Sequence, residues 1–217
     1  MEFFMFFIAF LFSLVTGAAI DALPPGISIR SSLPSNYTIT PVTWIMPIET
    51  GGENHTFYGT VQEVFAQVND ARAQQGLPAL PDPSANITEP TTRSISGTHS
   101  VLDARSYEKT ICKVGLSGYA TIYRINQGIA YLEGVTSQCG MGAGPGNCGR
   151  ISCSYNAAIY WCNDNDHYVE YECSYFAQYA AVVTDACVYT RGGKTEWTWG
   201  QAFDTENFNV MVGYDSC

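Results

Sequence analysis

The chain has 217 residues, a formal charge of −10 and a pI near 4.6. That length holds one full core with chain to spare. The negative balance repels phosphate backbones, so it argues against a nucleic-acid partner bound through a general basic surface.

Residues 1–19, MEFFMFFIAFLFSLVTGAA, are a run of Phe, Leu, Ile and Val ending in small residues. The pattern predicts a secretory signal peptide cleaved near Ala18 or Ala19. Its start departs from the usual form, with Glu2 and no Lys or Arg, and the alternative is a retained membrane anchor. No second hydrophobic span follows.

Residues 20–106 carry no cysteine and are rich in Pro, Thr, Ser and Asn. Three sequons fall here, headed by Asn36, Asn54 and Asn86, and in a secreted chain they imply exposed, glycosylatable surface. One piece reads as ordered. Thr60-Val-Gln-Glu63 is a capping box, and Val61, Val64, Phe65 and Val68 form a helical stripe ending before Gly76-Leu-Pro78. This helix, near 60–75, cannot build a core alone, so it docks on the cysteine-bearing part or belongs to a removable pro-segment. Residues 78–106 read as a linker, and the region lacks a dibasic processing site.

Residues 107–217 read as a cysteine-stapled α+β domain: an antiparallel sheet with two packed helices, preceded by a largely irregular N-terminal region. All eight cysteines lie here, at Cys112, Cys139, Cys148, Cys153, Cys162, Cys173, Cys187 and Cys217. An even number in a secreted chain reads as disulfides whose connectivity the sequence leaves open. A zinc site is disfavoured, because there is no CxxC and His167 is the one histidine among the cysteines. No metal and no cofactor is expected.

The first helix of this domain is predicted from an N-cap at Ser117, with Ile122, Ile125, Ile129 and Leu132 at helical spacing and an end at Gly134. Gly128 inside it marks close packing on a neighbour. Gly140 to Gly146 is a glycine-rich turn; a phosphate cradle is disfavoured because no Lys-Ser/Thr follows. Next, Ile151, Cys153, Tyr155, Ala157, Ile159 and Trp161 alternate against Ser152, Ser154 and Asn156. That is one buried-face strand, or two strands broken near Tyr155-Asn156. Ser174 then caps a second helix burying Phe176, Tyr179, Ala180, Val183 and Cys187. Cys173 and Cys187 stand about 20 Å apart along it, too far to pair with each other.

The chain closes as a hairpin, with Phe203 opposite Phe208, Gln201 opposite Val210, Trp199 opposite Val212 and Trp197 opposite Tyr214. The segment from Cys148 through Trp161-Cys162-Asn-Asp is similar to a motif in small secreted cysteine-rich proteins of filamentous fungi. So are the spacing to Cys173 and Cys187 and the ending from Gly200-Gln-Ala-Phe to Cys217. More distantly, the chain resembles smut-fungus killer toxins and necrosis-inducing fungal effectors. The resemblance covers Cys112 to Cys217. It implies a disulfide-held α/β sandwich, a hairpin broken at Tyr155-Asn156, and action outside the producing cell on a host or competitor. Toxin relatives carry a basic surface, whereas residues 107–217 hold six Lys and Arg against eleven Asp and Glu; that departure counts against ion-channel toxicity.

Hydrolysis is the enzymatic alternative. Asp164, Asp166, Glu170 and Glu172 supply carboxylates for an acid/base pair, although loop spacing fixes no geometry. Triad chemistry would need His167 and lacks a Gly-x-Ser-x-Gly motif. A calcium site on Asp164 and Asp166 fails the EF-hand pattern. Tyr160, Tyr168, Tyr171 and Tyr175 are candidates for a carbohydrate- or protein-binding face. The leading expectation is a secreted, monomeric, effector- or toxin-like binding protein whose partner is an extracellular protein, carbohydrate or membrane surface. A small hydrolase and a structural extracellular glycoprotein are the alternatives.

Overall fold

The computed structural model describes residues 33, 35–88, 106–191 and 195–217. The signal-peptide expectation lies outside them, as do residues 89–105 of the linker. The fold is α+β. In chain order the described elements are β1 (Thr38–Ile39), β2 (Thr43–Pro47), β3 (Asn54–Tyr58), α1 (Val61–Gln74), β4 (Tyr107–Cys112), β5 (Ala120–Thr121) and α2 (Ile122–Gly134). They continue with β6 (Gln138–Met141), β7 (Asn147–Ser154), β8 (Ala157–Asn163), β9 (Val169–Glu172) and α3 (Cys173–Ala186). Last come β10 (Val188–Arg191), β11 (Thr195–Thr198), β12 (Gly200–Asp204) and β13 (Phe208–Tyr214).

The strands make a six-stranded sheet in the order β1-β7-β8-β13-β12-β4, a four-stranded sheet β3-β2-β6-β9 and a three-stranded sheet β10-β11-β5. All pairs are antiparallel except β1 with β7. Residues 38–58 therefore contribute three strands that a Pro/Thr/Ser-rich composition did not signal.

Every residue of β8 is buried, because the six-stranded sheet is covered on both faces. Ala157, Ile159 and Trp161 face the three helices, with Trp161 stacked on Phe176 of α3 at 4.1 Å between ring centroids. Ala158, Tyr160 and Cys162 face a second cluster with Leu116 and Met211. Fully burying one such large side chain contributes about 1.5–3 kcal/mol.

Helix α1 forms where the capping box predicts. The Thr60 side chain accepts from the Glu63 N–H, and Glu63 Oε2 accepts from the Thr60 N–H at 2.7 Å. It docks on the cysteine-bearing part. Val61, Val64 and Val68 join the core of α2 and α3, and Gln62 donates to Ser152 Oγ at 2.8 Å while accepting from the Cys153 N–H.

Both later helices start differently from the sequence expectation. Helix α2 begins at Ile122 behind Thr121, because Ala120 and Thr121 are drawn into β5 against Trp197 and Thr198. Ser117 instead donates to the Tyr214 carbonyl at 3.2 Å. Helix α3 begins at Cys173, not after a Ser174 cap. Its start is fixed by the Cys173 N–H to the Ser137 carbonyl at 3.0 Å and by the Cys139–Cys173 disulfide.

The stretch 148–162 is a hairpin. Ser154 pairs with Ala157 across a two-residue loop, and Tyr155 and Asn156 both have positive φ, +52° and +60°, the type I′ form. Tyr155 therefore leaves the buried stripe and is 72% exposed. Ser152, which alternates with that stripe in sequence, is buried as well, where the register shifts between Arg150 and Ser152.

The final hairpin is also displaced. Asp204 opposes Phe208, Phe203 opposes Asn209 and Ala202 opposes Val210. Asn207 at φ +57° closes a three-residue loop, and Asp204 Oδ1 accepts from the Glu206 N–H at 2.6 Å. Trp197 is not part of it; its strand β11 pairs with β10 and β5.

The disulfides are Cys112–Cys187, Cys139–Cys173, Cys148–Cys162 and Cys153–Cys217. Cys173 and Cys187 each reach a different element. The bridges span separations of 75, 34, 14 and 64 residues, worth about 3–4.5 kcal/mol each in the chain-entropy account. Such bonds persist in oxidising compartments. No described helix is long and apolar enough to cross a membrane.

Candidate recognition surface

The strands β7, β8 and β13 run between two unlike ends of the molecule. One end holds the loop after β8, the β12–β13 turn and the glycine-rich turn before β7. The other holds the Tyr155-Asn156 tip, the start of α2 and the last residues of the chain.

The four candidate carboxylates belong to the first end or its neighbour β9, and the fold separates them into different environments. Asp164 is a structural acceptor. Its Oδ1 takes the Gly146 N–H at 2.9 Å, and its Oδ2 takes Asn209 Nδ2 at 2.7 Å. Asn209 Oδ1 in turn accepts from Gln201 at 2.8 Å, so one chain of bonds ties β12, β13, Asp164 and the glycine-rich turn. Asn163 completes the loop, donating to the carbonyls of Gly142 and His167. Gly144 donates its N–H to the Asn165 carbonyl, and a Cβ there would run into the Asn163 carbonyl. The glycines are thus a close approach of two loops.

Asp166 is exposed, with His167 Nδ1 at 3.0 Å, and that hydrogen bond holds its carboxyl below the ordinary range. Glu170 and Glu172 alternate outward on β9, both exposed, and Glu170 accepts from the Tyr168 hydroxyl at 3.3 Å. Burial, then the Glu170 charge, raise the Tyr168 phenol. No water-shielded pair of these carboxylates results, and Asp164 has spent both oxygens.

Of the candidate binding aromatics, Tyr160 is fully buried, its hydroxyl donating to Asp215 Oδ2 at 2.6 Å. Tyr171 and Tyr175 pack against Phe176 and Phe208 in the core. Tyr175 and Tyr179 gather with Ser106 at the buried carboxylate of Asp204. Burial pushes the Tyr171 and Tyr179 phenols well up, and hydrogen bonds to Glu206 and Asp204 respectively push them further. Only Tyr168 of the four is exposed.

Three further exposed rings, Tyr155, Tyr189 and Tyr214, sit at the opposite end among the half-buried Tyr119, Tyr123 and Trp199, and no local sequence signal points to them. Tyr155 projects from the hairpin tip, and Arg124 of α2 lies over its ring at 3.7 Å from the centroid. Arg124 also lies 4.8 Å from the Tyr123 centroid. The Tyr214 N–H bonds to the Gly118 carbonyl, and the Asp215 N–H reaches the Asn156 carbonyl, so the chain end closes on the tip. Tyr119 stacks at 4.9 Å from exposed Tyr189 and edge-on to Trp199 at 5.5 Å. Exposed Val188 adjoins them on β10. The rings arrive from residues 119, 123, 155, 189, 199 and 214, so no sequence window displays them together.

This end is braced from beneath. Cys153–Cys217 ties the chain end to β7, and Arg150 holds both the Ser216 carbonyl at 2.9 Å and the buried carboxylate of Asp215 at 3.7 Å. The sequon asparagines are exposed and lie away from it. Asn36 adjoins Gly146 at the far start of β7, about 25 Å of strand from the tip. Asn86 follows Pro83, which packs on Gly134 at the far end of α2, and Asn54 pairs with Pro47 beside Ile48, which holds Arg72 in the last turn of α1.

Comparison with protein-family models, with curated proteins and with solved structures finds no significant match to this chain.

Proposed function

We propose that this protein is a secreted, non-catalytic binding protein of the effector or killer-toxin kind, acting outside the producing cell on a host or competitor target. The observation that carries this reading is the aromatic end. Tyr155, Tyr189 and Tyr214 are exposed on elements held by disulfides, while Asp164 is committed to structural bonds. Rigid amphipathic rings give large contact area at small entropic cost, which is what a recognition surface needs. The resemblance of residues 112–217 to small secreted fungal proteins supports the same reading, as does a disulfide set suited to an oxidising medium.

The test uses the purified, oxidised full chain, infiltrated into plant leaves and added to competing fungal cells. It is run beside an Asp166→Asn/Glu170→Gln/Glu172→Gln variant, whose changes fall on exposed side chains. Equal cell death or defence response from both proteins is the expected result. A response lost only in the acid variant would favour the hydrolase. Silence from the wild-type protein in both assays would overturn the reading and leave a structural glycoprotein.

A further inference from the structure

Among the described side chains, the ion pairs are Lys109 with Glu108, Arg150 with Asp215 and His167 with Asp166. Arg72 is spent on the carbonyls of Pro78 and Ile48. Exposed Lys113 has no described carboxylate partner either, but Arg124 differs from it in being fixed in place. It is held over two tyrosine rings, and its Nη1 donates to Gln127 Oε1 at 2.9 Å, while Gln127 donates on to the Tyr123 hydroxyl. No described carboxylate pairs with it. Stacking and the Gln127 bond fix the guanidinium plane, leaving most of its five N–H donors for a planar, bidentate acceptor.

Two features argue that Arg124 and Tyr155 serve more than stability. Arg124 occupies the first turn of α2, where the helix dipole disfavours a cation and where no acidic residue offsets it. Tyr155 occupies a left-handed position, φ +52°, where Asn or Gly is preferred. A strained, exposed aromatic residue points toward a role for its side chain.

We propose that Arg124, clamped by Tyr123 and Tyr155, is the anchor of the aromatic end and receives one carboxylate, from an Asp, a Glu or a chain terminus of a protein partner. This rests on the binding reading above and names the chemistry it uses. Charge decides for a single carboxylate over a polyanion. The chain carries −10 overall, so a polyuronate or nucleic acid would meet repulsion along its length, whereas one carboxylate meets the single guanidinium held between Tyr123 and Tyr155. Arg, Tyr and Trp together are also the residue types that dominate protein–protein hot spots.

The experiment selects a phage-displayed random peptide library on the oxidised full-length protein and measures the winning synthetic peptides by fluorescence anisotropy. Wild type is compared with Arg124→Gln, Arg124→Lys and Tyr155→Asn. The last restores a favoured turn residue while removing the ring, so a folding defect cannot explain its loss. Winners are expected to carry an Asp or Glu. Arg124→Gln should weaken them at least tenfold, Arg124→Lys nearly as much, and Tyr155→Asn several-fold. Amidating the peptide carboxylate should cost the same factor on wild type and nothing further on Arg124→Gln. Winners without an acid, equal binding to Arg124→Gln, or no winners at all would overturn the proposal. So would polygalacturonate binding that outcompetes the peptides. If Arg124→Gln keeps the full leaf or competitor response, this inference falls while the binding reading stands; a silent wild type removes that reading instead.

Discussion

Gly128 of α2 lies directly on Ser152 of β7: a Cβ added at Gly128 would collide with Ser152 Oγ and come within 3.2 Å of Ile159 Cδ1. The glycine lets the helix seat on the sheet, and Ser152 is buried beneath it, bonded to Gln62 of α1. Three elements converge on that one contact.

Gly128→Ala is therefore expected to destabilise the protein. Helix propensity alone would favour alanine by about 1 kcal/mol, but overpacking costs about 1–3 kcal/mol and the Gln62–Ser152 bond is disturbed as well. Urea denaturation should give a lower midpoint for Gly128→Ala. A higher midpoint would mean that the helix tolerates a methyl group there.

Asp164 and Asp166 are two residues apart and should behave oppositely. Asp164→Ala leaves the Gly146 N–H and the Asn209 amide without their acceptor, at a cost of about 2–3 kcal/mol. Asp166→Ala removes an exposed carboxylate and should change stability by no more than about 0.5 kcal/mol. Equal effects in parallel urea titrations would contradict the structural role given to Asp164.

Much of the fold is legible in the amino-acid sequence, and the boundary of what is legible is physical. The Thr60–Glu63 capping box and the Val61/Val64/Val68 stripe are local signals, and both hold. The exclusion of a Cys173–Cys187 bond also holds, since helix geometry forbids it. What failed depends on distant chain. The Ser117 and Ser174 caps lose to β5 pairing and to the Ser137 carbonyl, and the last hairpin slips because Trp197 is claimed by another sheet. Gly200 marks that break, since a Cβ there would press on Cys187 Sγ at 2.8 Å and the Ile111 carbonyl at 2.9 Å. The aromatic end was invisible for the same reason, while tyrosines adjacent in sequence to the acidic loop proved to be largely core.

The tyrosine cluster at Asp204 has a consequence at alkaline pH. Burial, and bonds to Glu206 and Asp204, raise the Tyr171 and Tyr179 phenols above the unfolded value near 10. The folded protein then holds these protons more tightly than the unfolded chain. The stability that these two phenols contribute is full below about pH 10 and is lost as pH rises above it. Of the 14 tyrosines, phenolate absorbance should reveal a late class that ionises only as the far-ultraviolet circular dichroism is lost. Tyr179→Phe should shrink that class. Titration of every tyrosine near pH 10 with the fold intact would contradict the cluster as described.

The proposed recognition resides at the aromatic end and not in the acidic loop. The most direct measurement is saturation binding of fluorescently labelled protein to cells that respond to it. A Tyr119→Ser/Tyr189→Ser variant is compared with the Asp166→Asn/Glu170→Gln/Glu172→Gln variant. The account predicts an unchanged Kd for the acid variant and a loss of at least tenfold for the aromatic one. An unchanged Kd for the aromatic variant, with binding lost in the acid variant, would contradict it.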